Sequence, residues 1–501
     1  MAHLKPTKTS QSRVFLISGR ARPDHVPTYE SCTRMMGIAR GFGDIEKIEC
    51  PDPYAYGKFV DVGFTRGATE RVTTSLEARY MLDTISTLLK SSNTGCAMDV
   101  QLHMGQCQDP SQFNQFEKAL ILESAYITNY STEDLGALAS GDDAVINETV
   151  DISAENFYEV MPIGYGEKAG ALATNEVLDV IICDTQSCGD CVGESDGCQK
   201  IFAITKAAGG SASTPSDIIY SIDGGTTWYA HDIDSLGVAE DPSAIACVGD
   251  YLVVVSNASN SLHYALKSEF DGTTDPTWTE VTTGFVTGYE PNDIWSDGRV
   301  AFIAADGGYV YYTDDPLSGV TVLEAGTLTT STLTRIHGLN DEFVVAVGEN
   351  GVVMYTDNGT TFSLATTFPV GFGVHLRALW VKAEAEWFVG SSAGNLYYTN
   401  NTGLTWTVKA FTGSGAGVVW DIVMPTASIA FLSHATALPR GRILRSFDGG
   451  QSWELTPEKA GTIPAGDRFN RLGYCTYDPN VVVGVGLADG GADGFIVLGT
   501  A

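Results

Sequence analysis

The chain has 501 residues, more than one hydrophobic core usually organises, so two or more domains are expected. Apolar residues make up 44% and glycines number 55, which excludes a disordered chain and points to a turn-rich, mainly β protein. A formal charge of −32 opposes tight binding to phosphate backbones, yet it suits a protein past which DNA slides without sticking.

The charge is uneven: residues 1–165 carry 14 basic and 22 acidic side chains, and the remainder 15 and 39. No apolar run approaches the ~20 residues of a membrane span, and residues 1–20 hold no signal-peptide stretch. The expectation is a chain made in a cytoplasm, without membrane insertion.

In chain order, the first candidate strand is 58–64, where polar and apolar residues alternate as in a half-buried strand. Residues 69–79 follow as a Thr- and Val-rich strand. Over 80–90, Leu82, Ile85, Leu88 and Leu89 share one face of a short amphipathic helix. Further strands are expected at 96–104, 120–128 and 145–153. This order predicts a β-sandwich or barrel with one helix over 1–165; an unrelated α+β domain is the alternative.

Gly67-Ala-Thr-Glu-Arg-Val-Thr-Thr-Ser-Leu-Glu-Ala-Arg79 and the helix after it resemble the major tail tube proteins of tailed bacteriophages. Residues 105–130, with Phe113, Lys118 and Tyr126, and the strand leading to Tyr158 and Pro162 add to the likeness. The resemblance implies a self-assembling β domain that stacks in hexameric or pseudo-hexameric rings around a DNA-conducting lumen, in a virion tail made in the host cytoplasm. It also implies other tail proteins as partners, and loops such as 20–43 bridging successive rings.

Residues 166–200 are expected to form a Cys-rich linker or hairpin. Cys183, Cys188, Cys191 and Cys198 sit at spacings of x4, x2 and x6. The first three match a plant-type ferredoxin loop, but the fourth cysteine falls too close, and only one zinc-type knuckle is present. Acidic neighbours (Asp184, Asp190, Glu194 and Asp196) disfavour a tetrathiolate. Two local disulfides are the favoured reading, with a metal site and free thiols as alternatives. Cys247 and Cys475 are read as buried small hydrophobes.

Residues 201–501 carry a repeat. Ser221-Ile-Asp223-Gly-Gly225-Thr-Thr-Trp228 recurs around Asp448, Gly450 and Trp453, and around Asn401, Gly403 and Trp406. Weaker copies contain Asp357, Gly359 and Phe362, Asp271 with Trp278, and Asp315 with Gly319. The spacing of the closing aromatics is that of a four-stranded propeller blade. In each box the Asp or Asn can bond its own backbone and the Gly supplies positive φ. Counting gives seven blades, six or eight being the alternatives. The seventh, over 471–498, lacks a last strand, which a strand such as 177–183 could supply.

These boxes resemble the Asp-box (BNR) propellers, a family that includes sialidases, sortilin-like receptors and photosystem assembly factors. The box implies a fold rather than a chemistry. A sialidase needs an arginine triad, and Arg335-Ile-His337 is the nearest approach to its motif. The other propeller arginines are Arg299, Arg377, Arg440, Arg442, Arg445, Arg468 and Arg471, of which 440, 442 and 445 are read as a solvated hairpin. Asp489-Gly-Gly-Ala-Asp493 lacks the twelve-residue pattern of a calcium loop and is read as a turn. No catalytic residue, metal or cofactor is read. The expected function is a structural virion protein, a tail tube subunit with an exterior propeller for decoration or contact with host-surface glycans. The alternative is a non-viral propeller adaptor or assembly factor for a protein or glycan partner.

Overall fold

In the computed structural model the chain divides into two units, Met1–Pro162 and Ile163–Ala501, each taken here by itself. The first unit is described through its strands alone. The second is described over 164–168, 175–183, 198–206, 217–236, 241–256, 260–365, 368–369, 373–411, 413–435, 441–456, 468–475, 481–487 and 494–500. The expected strand at 58–64, the helix at 80–90, Cys188, Cys191 and the turn at 489–493 lie outside the described residues.

The first unit has β1 (Ser12–Ser18), β2 (Cys32–Phe42), β3 (Glu46–Ile48), β4 (Arg71–Arg79), β5 (Met98–Met104), β6 (Lys118–Glu133), β7 (Asn147–Ala154) and β8 (Asn156–Val160). They pair in the order β2-β1-β5-β6-β7-β4-β3, with β8 on β6, and β2 also pairs β4. The ladder therefore runs from β2 round to β4 and returns. Val100, Ile121, Leu122, Ala125 and Ile152 are buried in it. The expected bridging loop at 20–43 is corrected in part: 32–42 is β2, paired with β1 and β4.

The second unit is a seven-bladed β-propeller, each blade a four-stranded antiparallel sheet. The inner strands of blades 1 to 7 are Val177–Ile182, Pro242–Val248, Pro291–Ser296, Leu333–Gly338, Leu376–Ala383, Val418–Val423 and Arg468–Tyr474. Second strands such as Ala301–Ala305 and Val344–Gly348 are buried at every residue. Neighbouring blades cover both their faces, which is why they read as unbroken apolar runs rather than alternating ones. Each fully buried Val, Leu, Ile or Phe contributes about 1.5–3 kcal/mol, and clusters such as Phe202, Ile218, Leu252 and Val254 put that burial between blades. Outer strands such as Thr279–Val281 face solvent and are short and polar.

The ring is closed by β9 (Gly164–Lys168), the outer strand of blade 7, with Tyr165 opposite Gly499. This corrects two expectations. Residues 177–182 do not complete blade 7 but form the inner strand of blade 1. The propeller also starts well before residue 201, since the segment read as a linker holds the end of β9 and the inner strand of blade 1.

Candidate functional site

Every inner strand carries a β-bulge at the same place. The extra residues are Leu178, Ser243, Asn292, Thr334, Arg377, Trp420 and Asn470. A bulge bends the strand and re-aims the side chains beside it. Four of these side chains donate to a carbonyl of the next blade's inner strand: Ser243 Oγ to Pro291 at 2.8 Å, Asn292 Nδ2 to Leu333 at 3.1 Å, Thr334 Oγ1 to Leu376 at 2.5 Å and Asn470 Nδ2 to Val177 at 2.9 Å.

The residue after each bulge is Asp179, Ala244, Asp293, Arg335, Ala378, Asp421 and Arg471 in turn. Each carboxylate accepts a backbone N–H of the next blade: Ile245 on Asp179 at 3.0 Å, Ile336 on Asp293 at 2.8 Å and Leu472 on Asp421 at 2.8 Å. A single guanidinium spans all three. Arg471 lies 3.2 Å from Asp179 and 3.8 Å from Asp421, and it pairs with Asp293.

Electrostatics follow from this crowding. Burial pushes the Asp179 carboxyl up to about 6, against the pull of Arg471, and it raises Asp421 in the same way. Burial pulls Arg471 down, but the three carboxylates hold it above its ordinary value. Arg335 has the like charge of Arg471 beside it and falls to about 10, burial being the larger cause. Near the other end of the strand, burial and then Arg471 depress His337 to about 3. Its neutral Nδ1 therefore accepts the N–H of Val381 at 3.2 Å. Trp295, His337, Trp380 and Tyr474 form an aromatic chain there.

The chemistry of this layer is that of a clasp. Burying separated charges is costly, and the layer answers by joining acids of blades 1, 3 and 6 to a base of blade 7. Among the described residues, no group of three or more His, Cys, Asp or Glu side chains is placed to hold a metal ion.

The Asp-boxes lie on the opposite face, where third strands turn into outer strands. In blade 1, Ser221 Oγ accepts the Gly225 N–H at 2.8 Å, Asp223 Oδ1 accepts that of Thr227 at 2.7 Å, and Trp228 Nε1 donates to the Gly225 carbonyl at 3.0 Å. The boxes of Asn401, Gly403 and Trp406 and of Asp448, Gly450 and Trp453 repeat this pattern. Gly450 has φ +86, and a Cβ there would come within 2.6 Å of Phe388 in the preceding blade. The weaker box differs from expectation. Asn358, not Asp357, accepts the N–H groups of Thr360 and Thr361, at 3.0 and 2.8 Å. Counted from Thr356, Asn358 holds the position that Asp223 holds after Ser221, and the residue this box lacks falls after it.

The cysteines also depart from the expected local pairing. Cys183 bonds Cys247 of blade 2, and Cys198 bonds Cys475 of blade 7, with Cα separations of 6.1 and 5.5 Å. Cys247 and Cys475 are thus not free hydrophobes. Of the arginines read as a hairpin, 442 and 445 lie on the strand Gly441–Ser446, and the buried Arg445 pairs with Glu454 at 2.6 Å.

No family model matches the chain, and no curated protein sequence matches it significantly. The solved structures it resembles are propellers. One is described as YCF48 bound to D1 peptide, at 14% identity and a TM-score of 0.50, covering 68% of this chain and 96% of that one. YCF48 from Cyanidioschyzon merolae is 13% identical with a TM-score of 0.48, covering 67% and 98%. The WD40 propeller domain of Doa1 is 10% identical with a TM-score of 0.47, covering 67% and 97%. At these identities the likeness concerns the fold.

Sequence reading missed the clasp and the partners of Cys183 and Cys198. A signal was present: each inner strand has a charged or small residue directly before an aliphatic one, as in Asp179-Val, Asp293-Ile, Asp421-Ile and Arg471-Leu.

Proposed function

We propose that this chain is a structural assembly protein: a non-catalytic propeller that holds a protein partner, carried on a β unit that associates with further copies of itself. The observation that carries the non-catalytic reading is the clasp. Asp179, Asp293 and Asp421 each accept a backbone N–H and each face Arg471, so the acids a channel enzyme would use are engaged in joining blades. Binding through a rigid ring is the use such a scaffold suits, and the solved propeller of YCF48 is described with a bound peptide.

The finer reading is a tail tube subunit in a virion. Its support is the resemblance of 67–79, 105–130 and 145–162 to the tube proteins of tailed bacteriophages, together with an acidic balance that lets DNA pass. Many copies on a tube would also amplify weak contacts of an exterior propeller with host-surface glycans. Sizing of the purified chain alongside negative-stain microscopy tests the proposal. Rings or stacks support the assembly reading and, if hollow, the tube reading. A persistent monomer that binds a partner leaves the adaptor alone.

A further inference from the structure

The face opposite the Asp-boxes carries an unusual feature for so acidic a protein. Of eight arginines in 163–501, four lie on inner strands, and three of these lie outside the acid clasp or at its edge. Arg377, Trp420 and Arg468 occupy the starts of the inner strands of blades 5, 6 and 7. The Trp420 indole has the Arg377 guanidinium 5.8 Å and the Arg468 guanidinium 5.1 Å from its ring centre.

Three donors here lack acceptors. Trp420 Nε1, Arg468 Nε and Arg335 Nε are buried without a hydrogen-bond partner among the described residues. Arg377 has no carboxylate partner among the described residues, whereas Arg468 pairs with Glu176. Asp421, the chain neighbour of Trp420, is taken by the N–H of Leu472 and by Arg471. Among the described residues, the mouth over blades 4 to 7 therefore gathers donors and positive charge around an aromatic face, and its carboxylate, Glu176, is already taken by Arg468 and Asn470. An orphaned buried donor is costly, and a planar carboxylate matches a guanidinium fork bidentately.

We propose that this mouth binds a carboxylate of a peptide, an acidic side chain or a chain terminus, with Arg377 as its principal contact and Trp420 packing beside it. The proposal rests on the partner-binding reading, and it names the chemistry the partner presents.

The test is calorimetric titration of the full chain with acetyl-Ala-Ala-Glu-amide and with its Gln counterpart. N-acetylneuraminic acid serves as a carboxylate from a different source. The Glu peptide should bind, the Gln peptide should not, and R377Q should weaken binding at least about tenfold, the loss expected of one charge-assisted contact. R299Q should leave binding unchanged, because Arg299 is engaged by Asp297 and Asp341 away from this mouth. R377K keeps the charge without the fork, and an intermediate affinity supports bidentate binding even where R377Q folds poorly. Equal binding of the two peptides, no binding of either, or undiminished affinity in R377Q and R377K overturns the proposal. Preference for the sugar acid overturns the peptide as its source. Self-association is read separately, so failure here is distinct from failure of the assembly reading.

Discussion

Arg471 is the residue on which the propeller's centre depends. Its removal in R471M would leave three buried carboxylates without their cation, and a broken buried pair costs about 3–5 kcal/mol. Denaturant unfolding should show a loss of that size; a change within about 1 kcal/mol would mean the clasp is ornamental. Asp179 gives a pH test. Its folded pKa is about 6 against an ordinary 3.8, so its contribution to stability is full below the unfolded value and is lost as pH rises through 6. In D179N that titration is gone, and the change in stability across this window should differ from wild type by the missing term. Superimposable profiles would contradict the assignment. In the shortened box, N358A should cost about 1 kcal/mol through its two backbone N–H bonds, and D357A should stay within about 0.5 kcal/mol. The reverse order would restore the acceptor to Asp357.

At the scale of elements, the boxes were legible because their bonds are local: Ser221 to Trp228 spans one turn. The buried second strands were legible as short apolar runs. What joins blades was not, since the partners lie far apart in sequence. Cys198 and Cys475 are 277 residues apart, and nothing in the spacing of Cys183, Cys188, Cys191 and Cys198 reveals that a bond leaves the segment. The loss of one Gly from the box at Asn358 likewise hid its acceptor behind a neighbouring Asp. The Cys198–Cys475 bridge ties blade 1 to blade 7 on the Asp-box face, at the same junction that β9 closes by strand pairing. C198S and C475S should each lower stability by about 2–5 kcal/mol, and the double variant by no more than either alone. Additive losses would show that the two cysteines act separately.

For the whole molecule, seven blades followed from the repeat count, and an N-terminal strand closing the ring was expected, but it was placed at 177–183 rather than at 164–168. The strand that completes blade 7 is read from 164–168, which carry no box and no apolar run. Repeats of this kind specify a scaffold, and the clasp that fills its centre is built from single residues on separate blades. The assembly account is tested most directly by negative-stain microscopy of the purified full chain, with light scattering on the same sample. The account predicts self-associated particles, rings or stacks, bearing discs of the size of a seven-bladed propeller. A monodisperse monomer at every concentration, with no rings on the grid, would contradict it.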